Sequence, residues 1–144
     1  MPRYTTKIAS PMSPADAFAY LSDFATTEEW DPGVARAERL TEGPIREGSE
    51  FRVVARFLGR DVPLVYVVET LQTPSRVVLR GENATTVSLD EIRVAPDGTG
   101  CEVTYDAKLS FKGVLRVAEP ALAVIFRVIG DRAAGGLRQA LRAA

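Results

Sequence analysis

The apolar residues of this chain recur at strand spacing, then helical, then strand again, and finally helical, and those changes of period predict its elements. The segment Tyr4-Thr5-Thr6-Lys7-Ile8-Ala9-Ser10 is rich in β-formers and stops at Pro11, which predicts a first strand. Ser13-Pro14-Ala15-Asp16 follows with an N-cap serine, a proline at the first helical position and an acid in the first turn, so a helix is expected from Pro14. Its stripe is Phe18, Leu21 and Ala25, widened by Tyr20 and Phe24 and interrupted by Thr26 and Thr27. A second short helix is expected from Thr27 to Trp30, ending at the turn Asp31-Pro32-Gly33.

From Val34 to Phe111 the period is two. Phe51, Val53, Ala55 and Phe57 alternate with Glu50, Arg52 and Arg56, and Cys101, Val103, Tyr105, Ala107, Leu109 and Phe111 alternate with Glu102, Thr104, Asp106 and Lys108. Each pattern predicts a strand with one buried and one wet face. Strands at Pro63–Leu71, Arg76–Gly81 and Thr85–Val94 lie between them, separated by Leu58-Gly59-Arg60-Asp61, Gln72-Thr73-Pro74-Ser75 and Glu82-Asn83-Ala84. Pro96-Asp97-Gly98-Thr99-Gly100 predicts the turn before the last strand. After Gly113 the period returns to 3.6. Leu122, Phe126, Ile129, Ala133, Leu137 and Leu141 share one stripe, which predicts a helix from about Val117 to Leu141. Gly130, Gly135 and Gly136 inside it are costly for a helix and imply close approach of its backbone to the sheet or to a ligand.

A chain of 144 residues suits one domain over 1–144. An antiparallel sheet of about this size must cover its apolar face, and only the last helix is long enough to do so, which gives an α+β architecture with a bent sheet gripping that helix. With 18 basic and 19 acidic residues the chain has no basic excess for nucleic acid. Arg127 and Asp131 interrupt the last apolar run, so no membrane span of about 20 residues is expected. No secretory signal precedes the first strand, and a cytoplasmic location is the expectation. Histidine is absent and Cys101 is the single cysteine, which excludes an intramolecular disulfide, a Cys/His zinc site and a His-based nucleophile system. No phosphate-cradling glycine motif and no EF-hand spacing occurs, so no metal or cofactor is expected.

The order of motifs resembles the SRPBCC or START-like superfamily, which includes polyketide cyclase/dehydrase-like proteins, the birch-pollen-allergen group and coenzyme Q-binding proteins. The residues that carry this are Ser13-Pro14-Ala15-Asp16-Ala17-Phe18-Ala19-Tyr20-Leu21-Ser22-Asp23-Phe24 and Glu29-Trp30-Asp31-Pro32-Gly33-Val34, then Gly43-Pro44, Gly48-Ser49, Gly59-Arg60, and Gly98-Thr99-Gly100 leading to Val103-Thr104-Tyr105. The resemblance implies a helix-grip fold, with two short helices after the first strand and a cavity between the sheet and the C-terminal helix. It places the mouth among Leu58-Gly59, Glu82-Asn83-Ala84 and Lys112-Gly113-Val114.

The expected ligand-binding residues are Trp30, Phe51, Val53, Ala55, Phe57, Tyr66, Val68, Leu79, Asp90, Val103, Tyr105, Ala107, Leu109, Phe126 and Ile129. Any of these apolar positions could instead fill a dry core. By the resemblance, Ile92 and Val94 match apolar inward positions of the family, and counting back by twos from them puts Asp90, Ser88 and Thr86 on the inner face, with Asp90 across from Tyr105 or Ala107. A bulge would turn Asp90 to solvent instead. Trp30 is either core or a ligand contact at the closed end, and Asp31 reads as a turn or cap residue. Cys101 reads as a small buried hydrophobe.

Three functions follow. The first is a non-enzymatic carrier or sensor of a small hydrophobic molecule such as a lipid, quinone or polyketide-like aromatic. The second is a polyketide aromatase/cyclase or dehydratase with Asp90 and Tyr105 as catalytic candidates. The third is a vestigial pocket on a protein that works through its surface. The arginines of the last helix allow peripheral membrane contact or a solvated face, and the chain is either a monomer or a homodimer.

Overall fold

The computed structural model describes residues 2–142, with Val114 and Leu115 described by their backbone alone. The strands are β1 (Arg3–Ser10), β2 (Val34–Arg39), β3 (Glu50–Phe57), β4 (Arg60–Gln72), β5 (Arg76–Glu82), β6 (Thr86–Asp97) and β7 (Gly100–Phe111). They form one antiparallel sheet in the order β1-β7-β6-β5-β4-β3-β2. Helices α1 (Pro14–Ser22) and α2 (Thr27–Trp30) follow β1, and α3 (Glu119–Arg142) closes the chain. This is the helix-grip arrangement that the change of period implied.

Local chemistry sets the boundaries. Ser13 caps α1 by accepting the Asp16 N–H at 3.1 Å, with Pro14 at the first helical position. The helix ends at Ser22, short of Ala25, because Asp23 is extended and its carboxylate accepts the Ala25 N–H. That bond starts a 3-10 turn, Phe24–Thr26, before α2. Leu58-Gly59 is a two-residue hairpin turn in which both residues have positive φ, 52° and 76°. Arg60 and Asp61, expected in a loop, therefore already pair with Phe57 and Arg56. Asp97 pairs with Gly100 across an equally tight turn. Val117 and Ala118, expected in the long helix, belong to a 3-10 turn (Gly113–Ala118) that precedes it.

The core gathers where α1 and the Phe24 turn lie on the sheet. Phe18, Leu21 and Phe24 pack with Ile8, Phe51, Val68, Val77, Leu79, Ile92, Val94, Cys101 and Val103, and Leu137 and Leu141 of α3 join them. The Phe24 ring meets Tyr66 edge-on at 5.0 Å and lies 6.4 Å from Phe51. The C-terminal end of α3 is tied down by the buried Ser10 hydroxyl, which donates to the Leu141 carbonyl at 2.7 Å. Gly136 lets the helix touch α2: a Cβ there would stand 1.8 Å from the Trp30 carbonyl oxygen. Gly130 faces the Tyr4 ring in the same way, whereas Gly135 faces open space. The glycines of α3 thus serve contacts with the protein at two positions of three.

Candidate functional site

A cavity of about 350 Å³ lies between α3 and the sheet. Its walls are Val53, Ala55, Phe57, Val62 and Leu64 on β3 and β4, Tyr105, Ala107, Leu109 and Phe111 on β7, and Leu122, Phe126, Ile129, Ala133 and Leu137 on α3. Tyr4 and Thr6 of β1, Trp30, Asp31, Gly33 and Val34 complete it. The lining runs out to Leu58, Thr85, Thr86 and Phe111, toward the predicted mouth. There Asn83 accepts the backbone N–H groups of Thr85 and Thr86, and Lys112 bridges to Glu82 and the Asn83 carbonyl. The Val114 side chain, expected at this mouth, lies outside the described residues.

Polar groups converge on one patch of this apolar wall. Asp90 is 5 % exposed and faces inward opposite Ala107, so its strand carries no bulge at this point. Its carboxylate accepts the Tyr105 hydroxyl at 2.5 Å and the Ser88 hydroxyl at 2.6 Å. Burial raises the Asp90 pKa from 3.8 to about 6, against the lowering effect of these two hydroxyls. Tyr66 reaches the same patch because its ring lies flat over Gly81, where a Cβ would come within 2.5 Å of it. Burial, followed by the charge of Asp90, pushes both Tyr66 and Tyr105 well above the usual phenol range.

Asp31 has two roles. It accepts the Gly33 N–H at 2.8 Å, as its place in a turn suggested, and it also lines the cavity, where burial raises its pKa. Trp30 is 6 % exposed, stands edge-on to Tyr105 at 5.9 Å, and its indole N–H has no hydrogen-bond partner among the described residues. Such a buried donor is costly.

Eleven expected ligand-binding residues lie on this wall: Trp30, Val53, Ala55, Phe57, Tyr66, Asp90, Tyr105, Ala107, Leu109, Phe126 and Ile129. Phe51, Val68, Leu79 and Val103 do not. They face inward but lie in the packed core with α1 and the Phe24 turn, out of reach of the cavity. The dividing line crosses a single row of the sheet, Tyr4–Ala107–Asp90–Leu79–Val68, whose first three members line the cavity and whose last two are core. Alternation puts all five on one face and cannot say where the row passes beneath a helix. Tyr4, Thr6 and Leu64 were missed, although their alternating positions carried the same signal as the residues that were named. Asp31 carried no such signal, because it lies in a turn.

Solved structures share this fold at low identity. A START superfamily protein from Mycobacterium smegmatis aligns with a TM-score of 0.79 at 13 % identity over 96 % of each chain. TTHA0849 from Thermus thermophilus aligns at 0.78 and 15 % identity, over 96 % of this chain and 95 % of that one. StfQ, a di-domain ARO/CYC from the steffimycin biosynthetic pathway, aligns at 0.68 and 18 % identity, with 96 % of this chain matching 49 % of its length. Among curated proteins none matches in sequence. The family described as polyketide cyclase / dehydrase and lipid transport matches residues 1–142, and the chain belongs to that family, within the START-like superfamily that its motifs resemble.

Proposed function

We propose that the protein binds a small, largely apolar molecule in this cavity and carries or senses it without transforming it. The cavity itself carries this reading: about 350 Å³ of space walled mainly by aliphatic and aromatic side chains, with a hydrogen-bonded polar patch around Asp90 and Asp31. Such walls bind by removing apolar surface from water, at roughly 25 cal/mol per Å², while the polar patch fixes orientation. In this reading the purified protein takes up an environment-sensitive apolar dye with micromolar affinity, near −8 kcal/mol. Ala107→Trp or Ala55→Trp should fill the space and abolish uptake in a protein that still melts cooperatively. Uptake unchanged in both variants would show that the dye binds elsewhere.

One observation favours a second reading, an aromatase/cyclase or dehydratase. Asp90 has a pKa of about 6 and shares a hydrogen bond with Tyr105 inside the cavity, an arrangement suited to proton transfer near neutral pH. The StfQ likeness is compatible with this but shows the fold alone. An enzyme using Asp90 would lose about 10²- to 10⁴-fold in turnover on Asp90→Asn while still binding substrate. A carrier has no turnover to lose, and native mass spectrometry should find its ligand bound unaltered.

A further inference from the structure

We infer that the molecule taken by this cavity carries a cationic nitrogen on its apolar body, with the charge seated at the wall formed by Asp90, Asp31 and the rings of Trp30, Tyr66 and Tyr105. The inference rests on the binding reading above and gives the sign of the ligand's charge, which the apolar walls leave open.

Among the described residues, two carboxyl groups line this cavity, and neither has a cation beside it. Asp90 is held by the hydroxyls of Ser88 and Tyr105, and Asp31 by a backbone N–H. Other acids of the fold are paired with cations: Asp23 with Arg39, Glu91 with Arg76, and Glu82 with Lys112. The contrast is sharpest at Asp106, next to Tyr105 on β7 but on the outer face. There Arg3 binds both carboxylate oxygens at 2.8 and 2.9 Å and Thr5 adds a third bond. Burial pushes Asp106 upward, but Arg3 and Thr5 outweigh it and hold its pKa below the usual value.

Arg56 is the only basic residue among the described lining. It is exposed, and it stands opposite Asp61 on the outward-facing positions of the β3–β4 hairpin. The groups facing Asp90 are Ser88 on its own strand, Tyr105 and Ala107 on β7, Leu79 on β5 and Tyr66 on β4, with Asp31 adding its charge from the end of α2 and Asp106 from the outer face. None is cationic, and α3 presents only apolar residues and Gly130 to the cavity.

A buried carboxylate without a counter-charge is costly, and a ligand ammonium would offset that cost with its own charge. An anionic headgroup would add a third negative charge to the same low-dielectric wall. Trp30, Tyr66 and Tyr105 present π systems beside the carboxylates, and such rings with acids are the chemistry that recognises alkylammonium groups.

The test compares decylamine, decanol and decanoate, which share one chain length, by titration calorimetry at pH 5 and pH 7.5. At pH 7.5 decylamine should bind about tenfold or more tightly than decanol, and decanol more tightly than decanoate. Decylamine remains charged throughout, so its affinity should rise from pH 5 to pH 7.5 as Asp90 ionises, while decanol changes little. Asp90→Asn should remove most of the preference, and Asp31→Asn part of it. Equal binding of all three, or a preference that survives both substitutions, would overturn the inference and leave the apolar cavity standing. Failure of all three to bind would overturn the cavity reading and this one together. The pH comparison uses the unaltered protein and holds even if a variant does not fold.

Discussion

Gly136→Ala should destabilise the protein by about 3 kcal/mol or more, lowering Tm by roughly 10 °C, whereas Gly135→Ala should stabilise it by up to about 1 kcal/mol. Both replace glycine by the best helix former in the same turn of α3, so propensity alone predicts a gain at each. The surroundings reverse the first. A Cβ on Gly136 would stand 1.8 Å from the Trp30 carbonyl oxygen, 3.0 Å from its carbon and 3.4 Å from Pro32, while a Cβ on Gly135 meets nothing within 4 Å. The obstructing atoms are backbone, so relief requires α3 to move away from α2. That motion would displace Trp30 and Asp31 from the cavity wall and weaken ligand uptake as well. Thermal melts of the two variants decide the matter, and a Gly136→Ala protein as stable as the parent would mean that α3 is not seated on Trp30.

Asp90→Asn should stabilise the protein near neutral pH by up to about 3 kcal/mol, and the gain should disappear in acid. The Asp90 pKa is raised from 3.8 to about 6 in the folded chain. Between those values the folded protein still holds a proton that the unfolded chain has released. Stability contributed by the protonated group is therefore complete below about pH 4 and is lost as pH rises through 6, at about 1.4 kcal/mol per unit. Asparagine does not titrate, and its amide can still bond both Ser88 and Tyr105 once their hydroxyls rotate. Urea midpoints at pH 4, 6 and 7.5 should show the variant's advantage growing across the series. An advantage independent of pH would show that Asp90 ionises in the fold as easily as in the unfolded chain. Asp31, also raised by burial, leaves a smaller slope of the same sign in the variant.

The Asp90 cluster and the Gly136 contact belong to the same site, because α2 ends in the residues that close the cavity. Gly136 seats α3 against Trp30, and Trp30 meets Tyr105, which holds Asp90. The elements that fix the position of the polar patch are thus packed backbone and sheet register, together with the short turn at Asp31. A binding site built this way presents its polar groups in one geometry and leaves selection among ligands to their shape and charge.

Sequence pattern by itself determined the order of elements, the antiparallel sheet and the long terminal helix, and it left Asp90 open between the inner face and solvent. The elements follow from periods of 2 and 3.6 and from Ser13 and Pro14 at a helix start, which are local properties of the chain, whereas the unbroken pairing that turns Asp90 inward is seen only in the sheet. Exact boundaries were less legible. Asp23 and Leu58-Gly59 shift them by hydrogen bonds and positive φ angles that a hydrophobic pattern does not record. Only the tertiary structure decided which inward residues face space. Phe51, Val68, Leu79 and Val103 obey the same alternation as Val53, Tyr66, Ala107 and Tyr105, yet α1 and the Phe24 turn cover the first set while α3 stands off from the second. Where a helix rests on a sheet depends on contacts between residues far apart in the chain, such as Gly136 on Trp30 and Gly130 on Tyr4. For the same reason the missing counter-charge at Asp90 and Asp31 is invisible in a composition that balances acids and bases almost one for one. It arises from where the folded chain places its arginines, on the sheet, on the exposed side of α3 and in the connections, away from the cavity's two acids.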